Sequence, residues 1–153
     1  MHRSACAIVF PILSVCGIHV ADAQVRQTAS YYDEHKSKTC GATYFCSLDF
    51  SSLPADRQVE ITNVSCYVGV GVPLELAFLG VALTQGDYTL TSQYIAPTNY
   101  SFGGGKYNYA FNLPVRFLMG VSKTPRVYVH ATDHAYTGST TMDCTIVGTP
   151  KMP

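Results

Sequence analysis

The 153-residue chain has no tryptophan, and only 13% of its residues are charged, ten bases against ten acids. A formal net charge of zero provides no basic surface to neutralise phosphates, so neither a nucleic-acid partner nor attraction to an anionic membrane surface is implied. Motif absences narrow the chemistry further. None of Ser65, Ser92, Ser101, Ser122 and Ser139 sits in a Gly-x-Ser-x-Gly elbow, which removes the nucleophile turn of an α/β-hydrolase. The paired Cys-x-x-Cys spacing of a zinc ribbon and the His-x-His pair of cupin metal sites are also missing. Gly103-Gly104-Gly105-Lys106 is followed by Tyr107 and not by Ser or Thr, and the upstream glycine of a phosphate loop is lacking. A hairpin loop is the expectation there. Glu60 and Glu75 are each explained as the solvent side of a strand, which leaves no paired carboxylates for glycoside chemistry.

What the chain does have is eleven tyrosines, seven phenylalanines and repeated two-residue alternation. The clearest run is Val59 to Val70. Val59 and Ile61 share one face, after which the apolar positions become Val64, Cys66, Val68 and Val70. A parity change inside one apolar run predicts a β-bulge near Asn63, because one extra residue swaps faces without ending the strand. Leu74, Leu76 and Phe78 alternate with Glu75 and Ala77, with a second parity change at Leu79. A helix over residues 74–83 is disfavoured by Gly80 and the nearby valines. Tyr107, Tyr109, Phe111 and Leu113 alternate up to Pro114, which is expected to end that strand or mark an edge. Val127, Val129 and Ala131 face inward, as do Met142, Cys144 and Ile146. Turns are expected at Pro54 to Arg57, at Gln85-Gly86-Asp87 and at Tyr136 to Ser139. Seven or eight short strands at this spacing predict a single all-β domain, an antiparallel β-sandwich or jelly roll.

The first 23 residues read as an export signal: Arg3, an apolar run from Ala5 to Val20, then Ala21-Asp22-Ala23 before a cut at Gln24. Residues 24–39 are polar without a sustained period and read as a flexible leader, and residues 40–153 read as the β domain. Cys6 and Cys16 leave with the signal, so Cys40, Cys46, Cys66 and Cys144 form an even set suited to an oxidising compartment, periplasmic or secreted. Four cysteines allow three pairings. The favoured one joins Cys40 to Cys46 across a short loop and Cys66 to Cys144, tying the opening long strand to the closing one. The runs Val-x-Ile-Thr-Asn-Val-Ser-Cys at 59–66, Thr-Pro-Arg-Val-Tyr-Val at 124–129 and Cys-Thr-Ile-Val-Gly at 144–148 resemble a type of small exported bacterial β-sandwich protein known mainly as uncharacterised sequences. That resemblance implies a fold and a compartment, and no catalytic motif.

Two groups of residues are candidates for a site. Tyr100, Tyr107 and Tyr136 flank the glycine turn and the His130 strand, and tyrosines combine stacking with a hydrogen bond at low entropic cost, which suits a glycan or protein ligand. His130, Asp133 and His134 are an alternative metal or hydrolase centre, which requires the chain to turn between the histidines, since four residues of strand span about 13 Å. No cofactor is implied. The expected role is a non-catalytic binding or interaction module, with an assembly component that pairs through an edge strand as the second reading.

Overall fold

The computed structural model describes residues 24–28, 30–82 and 89–152. The export signal at 1–23 and the turn at Gln85-Gly86-Asp87 lie outside the described residues. Ten strands form two antiparallel sheets packed as a β-sandwich. They are β1 (Gln24–Gln27), β2 (Tyr32–Cys40), β3 (Phe45–Asp49), β4 (Gln58–Val70), β5 (Leu74–Ala82), β6 (Thr89–Tyr94), β7 (Asn99–Gly103), β8 (Lys106–Met119), β9 (Thr124–Ala131) and β10 (Thr140–Lys151). The larger sheet has the order β1-β2-β10-β4-β8-β7 and the smaller β3-β9-β5-β6. Only β1–β2, β5–β6 and β7–β8 are neighbours in both chain and sheet, and every other connection crosses from one layer to the other.

The core lies between the layers and follows the alternation of the strands. Val59, Ile61, Val64, Cys66, Val68 and Val70 of β4 are all buried, and both neighbours of β4 skip Thr62 in their pairing. Thr62 is therefore the bulged residue, one place before Asn63. Val127, Val129 and Ala131 of β9 and Met142, Cys144 and Ile146 of β10 are buried as expected.

On β5 the parity change comes earlier than the expected Leu79, so the faces of Leu76, Ala77 and Phe78 are reversed. Pairing with β9 shifts between Leu74 and Leu76, so the bulge falls at Glu75, and Ala77, Leu79 and Val81 turn inward. Leu76 and Phe78 are left on the outer face, because a slip of one residue exchanges every side chain after it. Pro114 does not end its strand. It sits opposite the bulge of β4 and beyond Ala110, the last residue of β8 paired to β7, where a missing N–H interrupts no ladder.

Residues 24–39 are not a flexible leader. This stretch contributes β1 and most of β2, and β2 is paired on both sides, to β1 and β10. The core-facing side of β2 carries Tyr32, Glu34, Lys36 and Lys38, so the hydrophobic period that marks a strand is absent. The polar groups are satisfied where they lie. Glu34 is fully buried and accepts from the Tyr32 hydroxyl at 2.6 Å and from the Ser51 amide and hydroxyl, with Lys36 Nζ at 3.2 Å. Burial, and then the bond to Glu34, pushes the Tyr32 phenol well above its ordinary value. Lys36 and Lys38 donate to the carbonyls of Asp49 and Ser47 on β3, the outermost strand of the small sheet.

Both disulfides have the favoured pairing. Cys40–Cys46 closes no hairpin, because β2 and β3 belong to different sheets, and it pins the two layers together at one end.

Candidate functional site

In a sandwich, a strand that buries valine on one face presents its alternate residues to solvent. β9 buries Val127 and Val129, and so sets Tyr128 and His130 on the outer face of the small sheet. Phe45 of β3 is paired with His130, Phe78 of β5 with Tyr128, and Tyr94 of β6 with Phe78. The rings meet across all four strands. Phe78 and Tyr128 stack with centroids 5.1 Å apart, Tyr94 meets Phe78 edge-on at 5.8 Å, and Phe45 meets His130 edge-on at 5.1 Å. Tyr44 extends the row, stacked on His134 at 4.4 Å.

A second aromatic group lies where the larger sheet overhangs the smaller. Tyr100 and Phe102 of β7 are paired with Tyr109 and Tyr107 of β8, and all four side chains are on the core side of the sheet. Tyr109 is buried, yet Tyr100 and Phe102 remain 60% and 63% exposed, because no strand of the small sheet covers β7. Tyr100 stacks on Tyr109 at 5.7 Å and on Tyr107 at 6.4 Å, and Phe102 lies 4.8 Å from Tyr107. The glycines that follow make a tight turn. Gly104 and Gly105 have φ of 61° and 75°, the left-handed pair that a two-residue hairpin requires.

The two groups meet at a cleft of about 90 Å³ between the layers, lined among others by Glu75, Leu76, Tyr94, Pro97 and Tyr109. The Tyr109 hydroxyl accepts from the Leu74 amide at 3.0 Å, which fixes the floor of the cleft to the start of β5. Aromatic surface thus runs from Tyr44 across the small sheet, over this cleft, to Phe102.

No protein-family model matches the chain, and no curated protein does. Among solved structures, the dimeric latent PorU from Porphyromonas gingivalis is similar over 86% of this chain and 14% of that chain, with 12% sequence identity and a TM-score of 0.42. The chain spans 14% of the length of that protein.

Of the tyrosines singled out from the sequence, Tyr100 and Tyr107 are brought together. Tyr136 is not part of that stack. Its hydroxyl accepts from the Gly71 amide and donates to the Ser139 carbonyl, both at 2.9 Å, so it clamps the β4–β5 turn to the approach of β10. The histidines also have other employment. Asp133 Oδ1 accepts from the Ala135 amide as a turn residue, and the Tyr44 ring contacts both imidazoles, with centroids 6.0 Å from His130 and 4.4 Å from His134. Among the described residues, no group of three His, Cys, Asp or Glu could hold a metal ion. Burial lowers the pKa of His130, with His134 adding to that effect and Glu75 opposing it.

Sequence reasoning missed Phe45, Phe78 and Phe102. For Tyr128 the signal was present, since it lies between Val127 and Val129, whose inward face was clear, whereas Phe45 was hidden by the reading of Cys40 to Cys46 as a short loop. For Phe78 the misplaced bulge hid it. Among the described residues no helix is long and apolar enough to cross a membrane. Two disulfides accord with an oxidising compartment.

Proposed function

We propose that the protein is an exported, non-catalytic interaction module that binds another polypeptide through the aromatic surface running from Tyr44 to Phe102. The observation that carries this reading is the exposure of Tyr94, Tyr100 and Phe102, each more than half open to solvent, with Tyr94 lining the cleft and Tyr100 stacked on Tyr109, which also lines it. Contiguous apolar surface of this kind on a small domain marks a contact site. Protein and glycan ligands ask for different ring geometry. A sugar stacks on an open ring face, whereas Phe78 on Tyr128 and Tyr100 on Tyr109 already cover one another's faces and turn edges outward. Edges and phenolic tips serve protein interfaces, where tyrosine is enriched.

The test is site-specific photo-crosslinking in the native cell envelope, with the crosslinker at Tyr94, Tyr100 or Phe102 and, as controls, at Ser65 or Asn112 on the opposite face. Discrete protein adducts from the aromatic positions alone support the reading. Equal crosslinking from both faces, or none from the aromatic one, rejects it.

A second reading, assembly through an edge strand, is favoured by β7. The β3 edge is capped by Lys36 and Lys38, but β7 is exposed at every residue and carries neither charge nor proline. Concentration-dependent oligomers that vanish in a Ser101→Pro variant would support that reading over the first.

A further inference from the structure

The outer face of the six-stranded sheet holds a depression of about 300 Å³ that the aromatic surface does not involve. Five side chains face it: Ser37 and Thr39 of β2, Thr141 and Asp143 of β10, and Tyr67 of β4. Lys38 and Met142 contribute backbone alone, since their side chains point to the other face, Lys38 to the Ser47 carbonyl and Met142 into the core. Pairing places Ser37, Asp143 and Tyr67 in one row and Thr39, Thr141 and Gly69 in the next.

The depression is built by side-chain size. Small hydroxyl residues make the floor, Gly69 adds no side chain, and a Cβ there would come within 2.9 Å of Thr141 Oγ1. Tyr67 stands as a wall, 52% exposed, and its hydroxyl is fixed to Asn108 Oδ1 at 2.7 Å. The ring is therefore held before any ligand arrives, which lowers the cost of binding. Next to it in the same row the Asp143 carboxylate is more than half exposed, with His35 Nε2 at 3.6 Å.

We propose that this depression binds a neutral pyranose unit of an oligosaccharide or polysaccharide. Its chemistry selects that class. One aromatic ring offers a surface for the C–H face of a sugar, while a carboxylate and three hydroxyls accept and donate to vicinal hydroxyl groups. Asp143 opposes an anion, and Lys106, whose Cδ lies 3.9 Å from a Cβ built at Gly69, stands beyond the residues that line the depression. One carboxylate without a second acidic neighbour is too little for a metal. No aliphatic side chain lines the depression to receive an apolar peptide. This site lies on the opposite side of the sandwich from the aromatic surface and stands or falls independently of it.

The test is a glycan array of neutral and acidic glycans probed with the mature protein, followed by amide NMR titration with the best neutral oligosaccharide. Saturable shifts at Thr39, Tyr67, Thr141 and Asp143 are expected. Tyr67→Ala should weaken affinity about tenfold or more, as loss of one stacking contact implies. Asp143→Asn should weaken it severalfold, and Tyr100→Ser should leave it unchanged. Tyr67 and Asp143 are exposed, so these variants should fold, and the amide spectrum verifies that directly. Absence of neutral-glycan binding on the array, preference for acidic glycans or a basic peptide, or retention of affinity in Tyr67→Ala each overturns the proposal.

Discussion

Cys66 and Cys144 face each other across β4 and β10 as register partners, with Cα atoms 4.1 Å apart and a disulfide between them. The spacing is that of a non-hydrogen-bonded antiparallel pair, where side chains approach most closely. The bridge closes 78 residues of chain, and the Cys40–Cys46 bridge closes 6. On the chain-entropy account the long closure stabilises by about 4 to 5 kcal/mol and the short one by about 2 kcal/mol. Replacing Cys66 and Cys144 together by Ala should therefore cost roughly twice as much in urea unfolding as replacing Cys40 and Cys46. Equal costs would mean that the unfolded chain is not the main seat of the effect.

Tyr136 and Tyr100 look alike in sequence and should behave differently. The Tyr136 hydroxyl bonds two backbone groups of separate turns, so Tyr136→Phe leaves the half-buried Gly71 amide without its partner. A loss of about 1 to 3 kcal/mol is expected. Tyr100→Ser should change stability by less than about 0.5 kcal/mol, because the ring is mostly in water. Thermal unfolding of the two variants in parallel checks both.

How far the sequence could be read depended on which residues faced the core. β4, β9 and β10 bury aliphatic side chains at alternate positions, so their faces and the Cys66–Cys144 pairing were legible, including the bulge to within one residue. β2 was not. Its inward positions are Tyr32, Glu34 and Lys36, and the buried glutamate is satisfied by Tyr32 and Lys36 on its own strand together with the distant Ser51, a contact that no local pattern encodes. The aromatic surface was half legible for a related reason. Tyr100 and Tyr107 were evident as residues beside a turn, but the exposure of Phe102 follows from the larger sheet being wider than the smaller, a property of topology.

The Tyr32 phenol gives the fold an alkaline limit. Its folded pKa is raised above the ordinary value of 10.0, so the folded state keeps a proton that the unfolded chain releases. The contribution is fully present below pH 10 and falls above it, by up to about 1.4 kcal/mol per pH unit for one such group. Urea unfolding between pH 9 and 11.5 should show this decline, and Tyr32→Phe should flatten it while lowering stability at neutral pH, since Glu34 then loses a buried donor. An unchanged slope in the variant would assign the alkaline loss to other tyrosines.

Thr62 tests whether the bulge is a requirement or an ornament. It is the residue that both β8 and β10 skip, and it separates Val59 and Ile61 from Val64, Cys66 and Val68, all of them buried. With Thr62 deleted, Val59, Ile61, Val64, Cys66 and Val68 fall at strictly alternate positions, so a regular strand without a bulge keeps both sets inward. On the β10 side Ile61 and Asn63 already pair with the adjacent Gly148 and Val147, so the deletion leaves that register, and the Cys66–Cys144 pair, in place. Thr62→Ala retains the extra residue and loses only the side-chain bond to the Val147 carbonyl, so it should cost about 1 kcal/mol. The deletion should therefore keep the Cys66–Cys144 bridge and a cooperative unfolding transition, read by mass mapping and circular dichroism, whereas loss of either would show that the sheet requires the bulge itself.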